Sequence, residues 1–152
     1  MRWPELPWAG GCRCGEIRFR VTKAPLVTGI CHCRGCQRMT ASAFSTTLTL
    51  PQDALEITKG DPVIGGLHGD QARHHHCDWC KSWLFTRLPP EMGAVNVRAT
   101  MLEDASWFVP FIETQTAEML PWAKSPATHS YERFPGTPEY PKLIAEFAAL
   151  RR

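Results

Sequence analysis

The sequence lacks any apolar run of the roughly eighteen residues that a transmembrane helix needs. It also lacks a run of five like charges, and its 17 basic residues exceed its 15 acidic ones by a net charge of only +2. That balance excludes the strongly charged surface with which proteins bind nucleic acid or anionic membranes. The first residues lack the charged and apolar regions of a signal peptide, so we expect a cytoplasmic protein.

Internal repeats and low-complexity segments are also missing, and 152 residues suit a single domain. Charged residues make up 21% and hydrophobic residues 43%, which excludes a disordered chain and allows a packed core. The chain has 13 prolines and 11 glycines, which interrupt regular structure. So many interruptions in one small domain argue against a helical bundle and for short strands joined by turns.

The hydrophobic pattern predicts mostly strands. Within residues 15–22, Ile17, Phe19 and Val21 alternate with charged residues, which indicates a strand with one buried face. Further strands and one short helical turn are predicted from similar signals. The strands are at 26–31, 43–50, 56–59, 72–77, 83–87, 94–98 and 107–114, and the turn is at 34–40.

One longer helix is predicted at the C-terminus, from Pro141 to Arg151. Leu143, Phe147 and Leu150 share one face at helical spacing, so this face is expected to pack on the domain. The sequence therefore predicts a mainly β domain with a C-terminal helix.

Seven cysteines stand in three groups, and their odd number argues against a secreted disulfide scaffold. Cys12 and Cys14 form a C-x-C pair, Cys77 and Cys80 form a C-x-x-C pair, and residues 31–36 hold a C-x-C-x-x-C triple. Residues two apart in an extended segment point the same way, and a tight turn brings the sulfurs of a C-x-x-C together. Each group can therefore place its sulfurs on one metal ion.

The spacing divides these cysteines into a set of four and a set of three. A structural zinc ion takes four ligands, which the two distant pairs supply. The triple supplies only three ligands and leaves one position open, as in a catalytic or ligand-binding zinc site. The predicted structural zinc has Cys12, Cys14, Cys77 and Cys80 as ligands, and the predicted open, more labile zinc has Cys31, Cys33 and Cys36.

Two other interpretations of the triple stay open. A histidine could close the site as a fourth ligand, although His32 would point to the opposite face of an extended segment and residues 74–76 would alternate along a strand. Alternatively, Cys33 and Cys36 could form a redox disulfide, but the thioredoxin-like strand–helix context of such a pair is missing.

Three stretches carry a resemblance to a known family: Gly11–Gly15, Cys31–Arg38 and Cys77–Cys80, with Ala43-Phe44, Leu84-Phe85 and Pro121-Trp122 in support. Over about residues 10–134 the chain resembles the glutathione-dependent formaldehyde-activating enzyme family. The resemblance implies folded-over antiparallel sheets of the Mss-like fold, shared with small zinc-binding accessory factors of vesicle GTPases. It also implies a structural zinc on the four-cysteine set and a second zinc on the triple.

The reaction that the resemblance implies is condensation of glutathione with formaldehyde to S-hydroxymethylglutathione, formally a carbon–sulfur lyase in reverse. The family-type domain is expected to span residues 1–134, and an extension over 135–152 is expected to pack its helix on the same domain. Three residues depart from the usual family pattern. Lys81 and Ala41 replace glycines, and Phe111 stands where a histidine is common.

Three thiolates around a dipositive ion give a site of net charge −1, which suits a sulfur ligand better than water. A thiol bound there would lose its proton and become a nucleophile. Arg34 and Arg38 are candidates to hold a glutathione carboxylate, and Phe44 is a candidate to line the pocket. Glu113 and Glu118 are candidate acids or bases.

These observations predict an enzyme that performs carbon–sulfur chemistry on a thiol such as glutathione. The alternative is a non-catalytic, zinc-stabilised domain that binds a thiol or a protein. A role like that of methionine sulfoxide reductases is weaker, because no cysteine outside the two sets remains as a nucleophile. Trp79 and Trp83 are expected to pack as core around the structural zinc.

Overall fold

The computed structural model describes residues 2–67 and 69–150, which form a mainly β fold. Within them the strands are β1 (Trp8–Gly11), β2 (Arg18–Val21), β3 (Val27–Cys31), β4 (Ser45–Pro51), β5 (Leu55–Lys59), β6 (Val63–Ile64), β7 (Arg73–His76), β8 (Trp83–Arg87), β9 (Ala94–Val97), β10 (Ile112–Thr114) and β11 (His129–Ser130). The helices are α1 (Arg34–Thr40) and α2 (Tyr140–Ala149), and short 3-10 turns cover Pro90–Met92, Ala99–Met101, Thr116–Glu118 and Thr137–Glu139.

These strands form two sheets. The smaller sheet has three antiparallel strands in the order β1-β2-β5. The larger sheet, within the described part of the chain, has eight strands in the order β11-β10-β3-β4-β9-β8-β7-β6. Its pairings are antiparallel except for those of β10, which runs parallel to β3 and to β11. The predicted mainly β fold is confirmed, with parallel pairing at one edge in addition.

The two sheets face each other across the main core. Phe19 and Val21 enter this core from β2, and Leu48 and Leu50 enter it from β4. All four side chains are almost completely buried, and each such burial contributes roughly 1.5–3 kcal/mol. Ile17 is buried as well, so the alternation predicted within residues 15–22 is confirmed.

A second apolar cluster lies under the C-terminal helix. Leu143 and Phe147 of α2 pack there with Val27 and Phe111, and the rings of Phe111 and Phe147 have centroids 5.2 Å apart. Phe111, which replaces the histidine common in the family, therefore packs against the helix of the C-terminal extension. The prediction that Leu150 packs on the domain with this face was wrong, because Leu150 is 45% exposed.

Most predicted elements are present, with shorter bounds. The strand predicted at 107–114 is reduced to Ile112–Thr114, and α2 ends at Ala149, whereas the predicted end at Arg151 lies outside the described residues. The pattern does not predict β1, β6 and β11, which have only two to four residues each. No helix in the described part of the chain is long and apolar enough to cross a membrane. The domain boundary near residue 134 stays a prediction.

Candidate metal centres

Two turns bring four cysteines together. Cys12 and Cys14 follow β1, and Cys77 and Cys80 lie in the turn between β7 and β8. All four sulfurs lie within 4.8 Å of one another, with 3.5 Å between Cys12 Sγ and Cys14 Sγ and 3.7 Å between Cys14 Sγ and Cys77 Sγ. Tetrahedral zinc with bonds of about 2.3 Å separates its sulfur ligands by about 3.8 Å. The cluster therefore fits a zinc ion.

Backbone and hydroxyl groups hold these two turns in place. Ile17 N donates to Cys12 Sγ at 3.2 Å, and Arg13 N donates to Ser82 Oγ at 3.1 Å, which links the two turns directly. Burial raises the pKa of Cys80, but hydrogen bonds led by that of Ser82 outweigh it and lower the pKa to about 5. The protein thus supplies part of the thiolate character that a metal ligand needs.

The two tryptophans expected around this cluster behave differently. Trp83 is buried, but its ring contacts the ring of His74, with centroids 5.1 Å apart, and the guanidinium of Arg98. Trp79 is 81% exposed, so the prediction that it packs as core was wrong. Trp79 stands in the β7–β8 turn, between Cys77 and Cys80, and outside both strands.

Cys31, Cys33 and Cys36 form a second cluster where β3 ends and α1 begins. Cys31 is the last residue of β3, and Cys33 caps α1 because its sulfur accepts from Cys36 N at 3.3 Å. The three sulfurs lie within 4.8 Å of one another, and all three side chains are half-buried. Within residues 2–67 and 69–150, no fourth ligand atom from a cysteine, histidine, aspartate or glutamate joins this group.

The three thiols of this cluster differ in pKa. A hydrogen bond with Cys36 is the largest cause that lowers the pKa of Cys31, to about 5, although burial opposes it. The same hydrogen bond, followed by burial, raises the pKa of Cys36. Burial is the largest cause that raises the pKa of Cys33. Of the three thiols, that of Cys31 therefore loses its proton most readily.

His32 lies between two of these cysteines but is not grouped with their sulfurs. Its ring is completely buried, and its Nε2 donates to Glu113 Oε2 at 3.0 Å. The same carboxylate accepts from Ser125 Oγ at 2.7 Å. Burial raises the pKa of Glu113, but the hydrogen bonds of Ser125 and His32 outweigh it and lower the pKa. Because His32 lies between Cys31 and Cys33, its bond to Glu113 helps to fix the segment that carries the cysteines.

The other predicted site residues lie around α1. Arg34 and Arg38 have exposed side chains. Phe44 is half-buried and meets the ring of His32 edge-on, with centroids 5.5 Å apart. Glu118 is close to α1 through its backbone, since its carbonyl oxygen accepts from Gln37 Nε2 at 3.0 Å. The structure places all four near the second cluster, and their functional roles stay predictions.

A row of polar residues, which the sequence pattern does not single out, crosses the larger sheet on the face opposite the core. Thr49, Asn96, Thr86 and His74 stand in register across β4, β9, β8 and β7. Thr49 Oγ1 donates to Asn96 Oδ1 at 2.9 Å, and His74 Nδ1 lies 2.9 Å from Thr86 Oγ1. On β3 this polar row continues to Val27, the partner of Thr49, and the three-cysteine cluster lies toward the other end of β4, where Ser45 pairs with Cys31.

Arg98 comes two residues after Asn96 and is the charged residue that sequence reasoning missed. Its side chain is only 5% exposed, and its Cζ lies 4.3 Å from the centre of the Trp83 ring. One signal was available, because Asn96 and Arg98 are spaced to share one face of the strand predicted at 94–98. Two polar residues that alternate with valines indicate that one face of this strand is polar.

Two packed sheets with two separate cysteine clusters define a small β protein whose cysteines are placed so that they could hold two metal ions. The sequence matches the family described as "Glutathione-dependent formaldehyde-activating enzyme" over residues 7–118. Because this match covers most of the chain, the protein belongs to that family. Membership supports a glutathione-related, formaldehyde-activating function in general terms.

The search of solved structures finds the same fold elsewhere. A crystal structure of a Rhodobacter sphaeroides protein matches with a TM-score of 0.55 and 19% sequence identity, over 70% of this chain and 99% of that chain. At this identity the likeness shows the fold alone. No curated protein matches the sequence at a significant level.

Proposed function

We propose that the protein is a zinc-dependent enzyme that joins a thiol, glutathione or a similar one, to an aldehyde such as formaldehyde. The reaction class is that of a carbon–sulfur lyase working in reverse. The thiol sulfur attacks the carbonyl carbon, a carbon–sulfur bond forms, and the thiol proton ends on the carbonyl oxygen, which becomes a hydroxyl group. No oxidant or reductant takes part.

The observation that carries this proposal is the three-cysteine cluster. Cys31, Cys33 and Cys36 offer three converging sulfurs, and within the described residues no fourth protein ligand completes the set. A zinc ion on these sulfurs would leave one position for a substrate sulfur and would favour its deprotonated form. Sulfur is also the ligand that such a thiolate-rich site prefers.

The chain's own residues would orient the reactants. Glu113, whose carboxylate also accepts from Ser125, accepts from the ring of His32, and Gln37 Nε2 donates to the carbonyl oxygen of His32 at 2.6 Å. The cysteine segment is thus held through both the side chain and the backbone of His32. We propose that the polar row receives the peptide groups of the thiol substrate. Arg34 remains the candidate for a substrate carboxylate, since it is exposed next to Cys33.

We also propose a cytoplasmic location. All seven cysteines are free thiols in this structure, and a reducing compartment keeps thiols available for metal. In this setting the four-cysteine cluster serves as the structural site and the three-cysteine cluster as the working site.

The test is the rate of adduct formation from formaldehyde and glutathione above the spontaneous rate. We expect the zinc-loaded protein to accelerate the reaction and Cys33→Ser to reduce it to the spontaneous rate while circular dichroism shows an intact fold. The matched control is Ser42→Ala, an exposed residue just after α1, which should retain full activity. Full turnover by Cys33→Ser would contradict the proposal.

A second candidate function, a non-catalytic module that binds a thiol or a protein, is favoured by large exposed aromatic side chains. Trp79 is 81% exposed and Trp122 is 73% exposed, and tryptophan is enriched among the residues that anchor binding interfaces. Calorimetry separates the two functions. Saturable binding of a thiol without turnover, across a panel of thiols and aldehydes, would favour the module.

A further inference from the structure

Arg98 is a buried cation without a carboxylate partner. It is 5% exposed, its Nη2 donates only to the carbonyl oxygen of Asn96 at 3.3 Å, and its Nε has no hydrogen-bond partner. None of the ion pairs found within residues 2–67 and 69–150 involves Arg98. A buried charge in this condition is costly unless an anion stands close to it.

The pairing of the strands shows which potentially negative side chains lie near Arg98. Thr49 pairs with Asn96, so Arg98, two residues further along, shares the face of the larger sheet on which Ser45 lies. Ser45 pairs with Cys31 across β3 and β4. Arg98, the residue directly after β9, and Cys31, the last residue of β3, therefore lie on one face of the sheet, with only β4 between the two strands.

Contacts beyond the strand agree with this placement. Thr100 N donates to Thr46 Oγ1 at 3.4 Å, which holds the segment after β9 against the start of β4, beside Ser45. Trp83 supports the guanidinium from the other side, with Cζ 4.3 Å from its ring centre. The backbone beside Arg98 is thus held against the start of β4, next to Ser45, while its guanidinium lies over the ring of Trp83.

The electrostatics point the same way. Burial lowers the pKa of Arg98 to about 10, and negative charge on Cys36 and Cys31 opposes that shift. Arg98 therefore stays protonated at neutral pH. The sulfurs of Cys31 and Cys36 are therefore near enough to the guanidinium for negative charge on them to stabilise its protonated form.

We propose that Arg98 is the counter-charge of the three-cysteine site, a buried positioning residue that balances the negative charge of Cys31, Cys33 and Cys36 when they hold a dipositive ion. This inference rests on the proposed metal-binding role of these three cysteines. Three thiolates and one dipositive ion sum to −1, and one guanidinium brings the sum to zero. A substrate thiolate at the open position adds a further negative charge, so the same guanidinium favours an anionic sulfur ligand over a neutral one.

The experiment measures zinc retention rather than turnover. Zinc-loaded wild type, Arg98→Met and Arg98→Lys are titrated with a competing chelator while released zinc and circular dichroism are followed. We expect Arg98→Met to lose the labile ion at chelator concentrations at least about tenfold lower, and Arg98→Lys to stay within about threefold of wild type. The ion of the four-cysteine cluster should be retained equally in all three proteins.

Methionine preserves much of the packing volume against Trp83 and removes the charge, whereas lysine keeps the charge and loses the planar guanidinium. If Arg98 acted only by packing, Arg98→Lys would therefore lose zinc more easily than Arg98→Met. The matched control is Arg87→Met, because Arg87 also lies over an aromatic ring, that of Phe85 at 5.2 Å, but is exposed at the end of the neighbouring strand β8. This control should leave both ions in place.

The outcomes separate the two proposals. One zinc ion in the wild type overturns the three-cysteine metal site and, with it, the role of Arg98. Two ions in the wild type and unchanged retention in Arg98→Met overturn the counter-charge alone, as does equal loss in the methionine and lysine variants. If Arg98→Met does not fold, Arg98→Gln, which keeps a donor for the Asn96 carbonyl, must show the same selective loss.

Discussion

Two residues stand where the family resemblance expects glycine, and both adopt the backbone conformation that glycine favours. Ala41 has φ 49° at the end of α1, and Lys81 has φ 60° in the turn of the second cysteine pair. Lys81 N still donates to the carbonyl oxygen of Cys77 at 3.0 Å, so the turn closes normally. The left-handed conformation costs such residues about 1–2 kcal/mol each. The end of α1 and the turn at Lys81 thus keep their shape at some expense of stability.

The protons of the three-cysteine cluster set the pH dependence of metal binding. Cys31 has a pKa of about 5, whereas the pKa values of Cys33 and Cys36 are raised. Near neutral pH a metal ion therefore displaces two protons. We expect the apparent zinc affinity of this site to fall by about 100-fold for each unit by which the pH is lowered between roughly pH 8 and 6.

Chelator competition for the labile ion at several pH values measures this slope. A decline of about tenfold per unit, or of about a thousandfold, would show that a different number of protons leaves and would contradict the assignment of a single thiolate. Proton release on zinc addition, measured in lightly buffered solution, gives an independent count.

Among the secondary-structure elements, the sequence predicts best those features that depend on residues close together in the chain. The β3–α1 junction follows from the spacing of the cysteine triple, because its ligands lie within six residues. β8 was predicted with its full bounds, 83–87. The polar row could not be predicted, because it needs the pairing of Thr49, Asn96, Thr86 and His74, which lie far apart in sequence. The alternation of apolar and polar residues predicts which face of a sheet a side chain lies on. It does not predict which strands are neighbours in the sheet.

The C-terminal helix shows what one residue contributes to an element. Phe147 is completely buried in the cluster with Phe111. Phe147→Ala should lower the free energy of unfolding by about 3–5 kcal/mol, because it removes a large ring and leaves a cavity. Denaturant unfolding measures the change.

The matched control is Leu150→Ala, three residues further on, whose side chain is 45% exposed. It should change stability by less than about 0.5 kcal/mol. An effect of similar size in both variants would mean that the helix does not pack through the face that the structure shows.

At the scale of the whole molecule, the two cysteine clusters do different work. The four-cysteine cluster joins the turn between β1 and β2 of the smaller sheet to the turn between β7 and β8 of the larger sheet. Cys14 and Cys77 are 63 residues apart, so a metal ion there closes a long loop and its binding energy supports the fold. The three-cysteine cluster spans six residues and joins no distant parts of the chain. We therefore propose that metal on the first cluster stabilises the protein, whereas the second cluster is available for chemistry.

The most direct measurement of this division is a chelator titration of the purified protein, with zinc per chain, free thiols and circular dichroism followed together. We predict two zinc ions per chain at the start. The first ion to leave frees three thiols, those of Cys31, Cys33 and Cys36, and the fold survives. The second leaves at higher chelator concentration and unfolds the protein, and Cys80→Ser should show this unfolding without chelator. A single ion per chain, or a first ion whose removal abolishes the fold, would contradict the division of the seven cysteines into a structural and an open site.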